Sequence, residues 1–192
     1  MTNPNSSSYS KSVYAPQAEV DKIKTHTLSI LVENKPGALA KIIGFFTGRG
    51  YNIDSLSVAE TDKNYSLSRL VIVTSGADIV LELIKAQLQS LIQVRSVRDL
   101  TTSGPFVARE IALVKLSLSA LADGDKRDLQ DVVEEFDATV VTKTKDNVIY
   151  QCIGASDHVT DFVNAVRAFD PLGISRSGIA ALPSGAAPDD YH

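Results

Sequence analysis

A chain of 192 residues, 44% hydrophobic and 22% charged, has the composition of a globular protein with one large domain or two small ones. A net charge of -4 removes the electrostatic case for a nucleic-acid or anionic-membrane partner, and no apolar run is long enough to span a bilayer. The single cysteine, Cys152, excludes an internal disulfide. Together with an N-terminus that lacks the basic-then-apolar order of a secretory signal, it sets the expectation of a cytoplasmic protein.

Met1 to Ala18 is rich in Ser, Asn and Pro and has no apolar period, so residues 1–24 are expected to form a flexible tail. Thr27 to Glu33 then alternates Leu28, Ile30 and Val32, the pattern of a half-buried strand. A Pro36-Gly37 corner follows, with Pro36 expected at the first helical position. Leu39, Ile42, Ile43 and Phe46 recur at helical spacing until Gly48 and Gly50 stop the helix. Tyr51 to Glu60 and Leu67 to Thr74 read as strands joined by a polar turn through Asp62, Lys63 and Asn64. Asp78 opens a second helix with Ile84, Leu88 and Leu91 on one face, and Val94 to Leu100 is a final strand. The order βαββαβ defines a ferredoxin-like unit over residues 25–101.

Thr101 to Pro105 has the composition of a linker. The order then repeats over residues 106–182. Arg109 to Leu118 is an apolar strand, and Asp123 and Asp125 place acids at the start of a helix that runs through Phe136. Thr139 to Lys143 and Val148 to Ile153 are strands around a Lys145-Asp146-Asn147 turn. Ser156 caps a helix aligned on Phe162, Val166 and Phe169, and Ile174 to Leu182 closes the unit. Residues 183–192 form a second flexible tail. The fold class is therefore α+β, two ferredoxin-like domains sharing a pattern but no visible residue identity.

The chemistry-bearing feature is the corner Asn34-Lys-Pro-Gly-Ala38. A helix N-terminus offers unpaired N–H groups and a partial positive charge, which suits a carboxylate. The amides near Gly37, Ala38 and Leu39 fill that role, and Asn34 and Asn52, expected on either side of the helix start, can meet an ammonium through a carboxamide oxygen. On spacing alone, an ordinary helix-start turn with two structural asparagines is the commoner explanation. Other constellations carry less. His26, His158 and His192 are scattered, and Asp123-Gly-Asp125 lacks the remaining ligands of a calcium loop. Ser55, Ser57, Ser66 and Ser68 have no histidine base at hand, and Cys152 reads as a packing residue. Arg69 and Arg176 are read as surface arginines or as anion or partner contacts.

Asn34-Lys-Pro-Gly-Ala-Leu39, Phe46, Arg49-Gly-Tyr-Asn-Ile-Asp-Ser-Leu56 and Leu67-Ser-Arg-Leu-Val-Ile72 together resemble the ACT domain of the acetohydroxyacid (acetolactate) synthase small-subunit family. Arg109-Glu-Ile-Ala-Leu-Val-Lys115 and Arg176-Ser-Gly178 resemble the start and the last strand of that family's second domain. The resemblance covers Thr27 to about Leu182. It implies a non-catalytic subunit that holds no cofactor. Its partner is a large catalytic subunit carrying thiamine diphosphate, a divalent metal (Mg) and a flavin (FAD). The small subunit activates that partner and makes it sensitive to branched-chain amino acids, chiefly valine. The resemblance further implies a homodimer through the ACT domains, with the effector at the interface touching Asn34, Gly37, Ala38, Asn52 and Ile53. Two other classes remain in view: a free-standing amino-acid-sensing ACT protein acting on another partner, and a small ferredoxin-like enzyme, the latter disfavoured by the lack of an acid/base pair.

Overall fold

The computed structural model describes residues 23–62 and 66–185. The polar stretch Met1 to Ala18, the last seven residues and the Lys63-Asn64 part of the hairpin turn lie outside the described residues.

The first unit is β1 (Lys24–Glu33), α1 (Ala38–Gly48), β2 (Ser55–Asp62), β3 (Leu67–Gly76), α2 (Asp78–Gln89) and β4 (Val94–Asp99). Its antiparallel sheet has the order β2-β3-β1-β4, the ferredoxin-like arrangement the sequence predicts. Leu28, Ile30 and Val32 of β1 and Leu70 and Ile72 of β3 face the helices, where they meet Ile42, Phe46, Leu81, Ile84 and Leu88. The buried face of α1 is Ala38, Ile42, Phe45 and Phe46, not the expected Leu39, Ile42, Ile43 and Phe46. The spacing i, i+4, i+7, i+8 defines the core stripe better, and Leu39 is left exposed.

Strand β2 starts at Ser55, four residues later than expected. Tyr51 is pulled into an aromatic cluster, 6.5 Å edge-on from Phe46, and the Arg49 guanidinium sits 4.0 Å over the Phe45 ring. The segment reaches the sheet only when the Asp54 amide donates to the Val73 carbonyl.

The second unit is β5 (Phe106–Ser117), α4 (Asp123–Glu135), β6 (Thr139–Lys143), β7 (Asn147–Gly154), α5 (Ser156–Val166), a short 3-10 turn (Arg167–Phe169), β8 (Gly173–Arg176) and β9 (Ala180–Pro183). Its sheet order, β6-β7-β5-β8, repeats that of the first unit, and β9 pairs with the opening residues of β5. Ala112, Val114, Leu116, Val148, Tyr150 and Cys152 form its core with Leu129, Val133, Phe162 and Val166 of the helices. Burial, and Asp137 nearby, push the Cys152 thiol above its ordinary pKa, in keeping with a packing role. The expected Ser156 cap is not made: the helix is entered from Ala155, and the Ser156 hydroxyl donates instead to Glu110.

Two departures from the sequence reading join the units. The Thr101–Pro105 stretch is not an open linker. Asp99 accepts from the Thr101 amide at 3.0 Å and caps a four-residue helix, α3 (Leu100–Ser103), while its other oxygen shares a 2.7 Å hydrogen bond with buried His26 Nδ1. The final strand is also not continuous: it breaks between β8 and β9. The ribbon of early β5 and β9 crosses to the first unit and packs Phe106, Ile179 and Ala181 on Val71, Val73 and Leu100. Strand β1 alternates in sequence as if one face met water, yet Thr27, Ser29 and Leu31 on its second face are also buried.

Candidate functional site

The corner begins where β1 ends. Ala38 N–H donates to the Lys35 carbonyl at 3.1 Å, which makes Lys35 to Ala38 a β-turn. Gly37 has φ 84° and ψ -7°, the third-residue geometry of a type II turn, so Pro36 occupies the turn's second position and not the first position of α1. A proline suits both places because each needs φ near its ring-fixed value. Gly37 is needed for its left-handed φ alone, since an added Cβ would meet no atom within 4 Å. Gly37→Ala should therefore lower stability by about 1–2 kcal/mol through backbone strain. Urea unfolding would show this as a lower midpoint at unchanged slope, and an unchanged midpoint would contradict it.

The first-turn donors differ by one from those expected. The Ala38 amide is spent in the turn, and its methyl is buried. The amides of Gly37, Leu39 and Ala40 have no hydrogen-bond partner among the described residues and end a helix of 11 residues. Asn34 is exposed and is tied down only through its backbone amide, which donates to the Ser66 carbonyl at 2.6 Å. Beside it Lys35, with help from Arg95, holds the Glu33 carboxyl below its ordinary pKa, and so occupies the one acid at the corner's base.

Asn52 and Ile53 are not at this corner. They follow the C-terminal end of α1, a helix about 16 Å long at ~1.5 Å per residue. The sheet registers the separation independently. Glu33 pairs with Leu67 at one end of β3, whereas the Asn52 carbonyl accepts from Thr74 Oγ1 at 2.6 Å near the other end. Six or seven residues of extended chain, about 20 Å, lie between. The expectation that both asparagines flank one helix start is corrected: Asn34 with Gly37, and Asn52 with Ile53, lie at opposite ends of the unit.

The Asn52 side chain is held in place by its neighbours. Its Nδ2 donates to Asp54 Oδ1 at 2.5 Å, and Asp54 Oδ2 accepts from Ser75 at 2.9 Å, while the Asn52 carboxamide oxygen has no partner among the described residues. Ile53 is partly buried against the first core. Two residues later the chain meets the second unit: the Ile179 amide donates to Ser55 Oγ at 3.2 Å, and Ser57 Oγ donates to the Ile179 carbonyl at 2.6 Å. These seam contacts were invisible to sequence reasoning, because no local signal pairs Ser55 with a residue 124 positions away.

Arg176, read from sequence as a surface arginine or as an anion or partner contact, is engaged within the chain. Its Nε donates to Glu110, which is 5% exposed, and its Nη2 donates to Thr160 Oγ1 at 3.1 Å. Glu110 raises the Arg176 pKa further, so the guanidinium stays charged at every working pH. Arg69 is half-buried on the sheet, with Nη1 donating to Ser29 Oγ at 2.9 Å. Among the described residues no group of three or more His, Cys, Asp or Glu is placed to hold a metal ion, and no helix is long and apolar enough to cross a membrane.

Two ferredoxin-like α+β units in tandem, the first presenting an open glycine corner after its first strand, define a two-domain protein of the ACT type. Residues 28–96 match the model of the AHAS small subunit-like ACT domain, and residues 109–185 match that of the small subunit of acetolactate synthase. The chain belongs to the acetolactate synthase small-subunit family. It is 36% identical to a probable acetolactate synthase small subunit of Archaeoglobus fulgidus, over 83% of this chain and 97% of that one. It is 39% identical to the isozyme 3 small subunit of Escherichia coli, over 82% and 94%. The crystal structure of the Thermotoga maritima acetolactate synthase small subunit superposes with a TM-score of 0.73 at 34% identity, over 83% of this chain and 96% of that one.

Proposed function

We propose that this chain is the non-catalytic regulatory subunit of an acetolactate synthase, with residues 25–101 as the ACT domain and 106–182 as the second domain. It activates a large catalytic subunit that carries thiamine diphosphate, Mg and FAD, and it confers feedback inhibition by valine or another branched-chain amino acid. The reading places it in the cytoplasm with the valine, leucine and isoleucine pathway.

The observation that carries the effector site is the separation of the two half-sites. A free amino acid bears two charges, and burying them needs partners on several sides. Within one chain the open amides of Gly37, Leu39 and Ala40 cannot share a small ligand with Asn52 about 20 Å away. Two ACT domains paired about a two-fold axis bring one chain's corner to the other chain's Asn52 and Ile53. The carboxylate then takes the helix amides of one protomer, and the ammonium takes the carboxamide oxygens of Asn34 and of the second protomer's Asn52. Ligand shared across the interface favours one dimer geometry, and it shifts the catalytic subunit only by its differential affinity for the two states.

The test is reconstitution. The full chain is mixed with its cognate catalytic subunit, and acetolactate formation is followed with and without valine, leucine and isoleucine. Turnover should rise on addition of the chain and fall again with at least one of the three. If turnover is indifferent to the chain, or none of the three inhibits, the assignment fails.

A further inference from the structure

A cleft of about 480 Å³ separates the two units. Its first wall is the start of β2, with Asp54, Ser55 and Leu56. Its second is Glu110 of β5, Ser156 and Thr160 of α5, and Arg176, Ser177 and Gly178 at the break before β9. The volume lies within the range of small-molecule pockets, roughly 300–1,000 Å³. The polar groups are not scattered: a guanidinium stands on one wall and a carboxylate on the other.

The Arg176 guanidinium is oriented from behind. Buried Glu110 takes its Nε–H and is itself held through Oε2 by Ser156, at 3.0 Å, while Thr160 takes one N–H of Nη2. Nη1 and the second N–H of Nη2 have no partner among the described residues, and the side chain is one-third exposed. A guanidinium edge fixed in this way presents two N–H groups in the geometry that suits a carboxylate. A carboxylate behind the cation fixes its direction, as a supporting shell does for any recognition group. Across the cleft, Asp54 keeps acceptor capacity beyond its bonds from Asn52 and Ser75, since an ionised carboxylate has about four lone-pair sites.

We infer that this interdomain cleft is a second binding site for a free α-amino acid, its carboxylate on the open edge of Arg176 and its ammonium on Asp54. The site lies within one chain and is separate from the interface half-sites, so it does not depend on dimerisation. It also touches them: Asp54 holds the Asn52 carboxamide, and an ammonium drawing on Asp54 loosens that hold. The second domain thus acquires a route by which ligand bears on the effector site.

The experiment uses the full chain, isotopically labelled and carrying Asn52→Ala to weaken the interface site. L-Valine, L-leucine and L-isoleucine are each titrated in, and amide NMR shifts are followed at Ser177 and Gly178. At least one of the three should produce a saturable shift at these positions. Isovalerate, which lacks the ammonium, should bind at least tenfold more weakly. Arg176→Met, which keeps the apolar stem but not the charge, should weaken binding tenfold or more. Asp54→Asn, an exposed and isosteric change, should do the same and decides the matter if Arg176→Met does not fold. No saturable shift with any of the three, or shifts that survive both variants, would overturn the inference. Failure of the interface site is read elsewhere, from inhibition of the reconstituted enzyme.

Discussion

Asn52→Ala should raise the valine concentration needed for half-inhibition of the reconstituted enzyme by roughly tenfold or more, and leave activation without effector unchanged. The expectation follows from three facts. Asn52 is exposed, so its loss removes no core contact and should cost stability no more than about 0.5 kcal/mol. Its carboxamide is preset by the 2.5 Å bond to Asp54, so little entropy is spent in aiming the oxygen at a ligand. A hydrogen bond to a charged group is worth on the order of 1.5–3 kcal/mol, which corresponds to a factor of about ten to a hundred and fifty in affinity. The measurement is a valine dose curve on wild-type and variant complexes at equal subunit ratio. An unchanged half-inhibition concentration would remove Asn52 from the effector site.

Gly178→Ala should destabilise the chain by about 2–5 kcal/mol and loosen the seam between the units. Two costs combine. Gly178 has φ 76°, where an L side chain pays about 1–2 kcal/mol. An added Cβ would also lie 2.9 Å from the Leu56 carbonyl oxygen and 3.2 Å from Ser55 Oγ, so backbone must move, and overpacking of this kind costs typically 1–3 kcal/mol. The contrast with Gly37, which has the same hand of φ but open space around it, separates strain from crowding. Denaturant unfolding of both variants should show Gly178→Ala as the larger loss. Hydrogen exchange should quicken at the Ile179 amide, which donates across the seam to Ser55. Equal losses in the two variants would mean that the approach to Leu56 is not close in solution.

Period and punctuation made most of the architecture legible. Leu28, Ile30 and Val32 alternate because one face of β1 meets the helices, and Ile84 and Leu88 recur because α2 lies on that face. Asp123 and Asp125 marked the start of α4 because acids suit a helix N-terminus, and both lie in its first turn. Misreadings cluster where a distant segment overrides a local rule. Ser156 has the residue type of a cap but enters α5 as its first residue, with Ala155 before it, and its hydroxyl donates to the buried Glu110 carboxylate, 46 residues earlier. Tyr51 has strand propensity but packs with Phe45 and Phe46, delaying β2. Thr101 to Pro105 has a linker's composition but folds as α3, because Asp99 both caps it and partners buried His26.

The candidate site divides in the same way. Residue types alone marked Gly37 and the two asparagines, since a helix start exposes amides and a carboxamide can serve either charge of an amino acid. That Asn34 and Asn52 stand at opposite ends of the sheet could not be read from an 18-residue spacing. It depends on α1 running back antiparallel to β1, so that its two ends carry the two residues apart. Arg176 and Glu110 are 66 residues apart and meet only because β5 and β8 pair.

Local sequence therefore determined most of the helices and strands, their order and where the open turn lies, because those properties rest on neighbours within a few residues. Tertiary structure alone decided that the two asparagines are parted, that Gly178 lies against Leu56 where the last strand breaks, and that Arg176 and Asp54 line one cleft. Each of these is set by how segments distant in sequence pack together and not by any pattern along the chain.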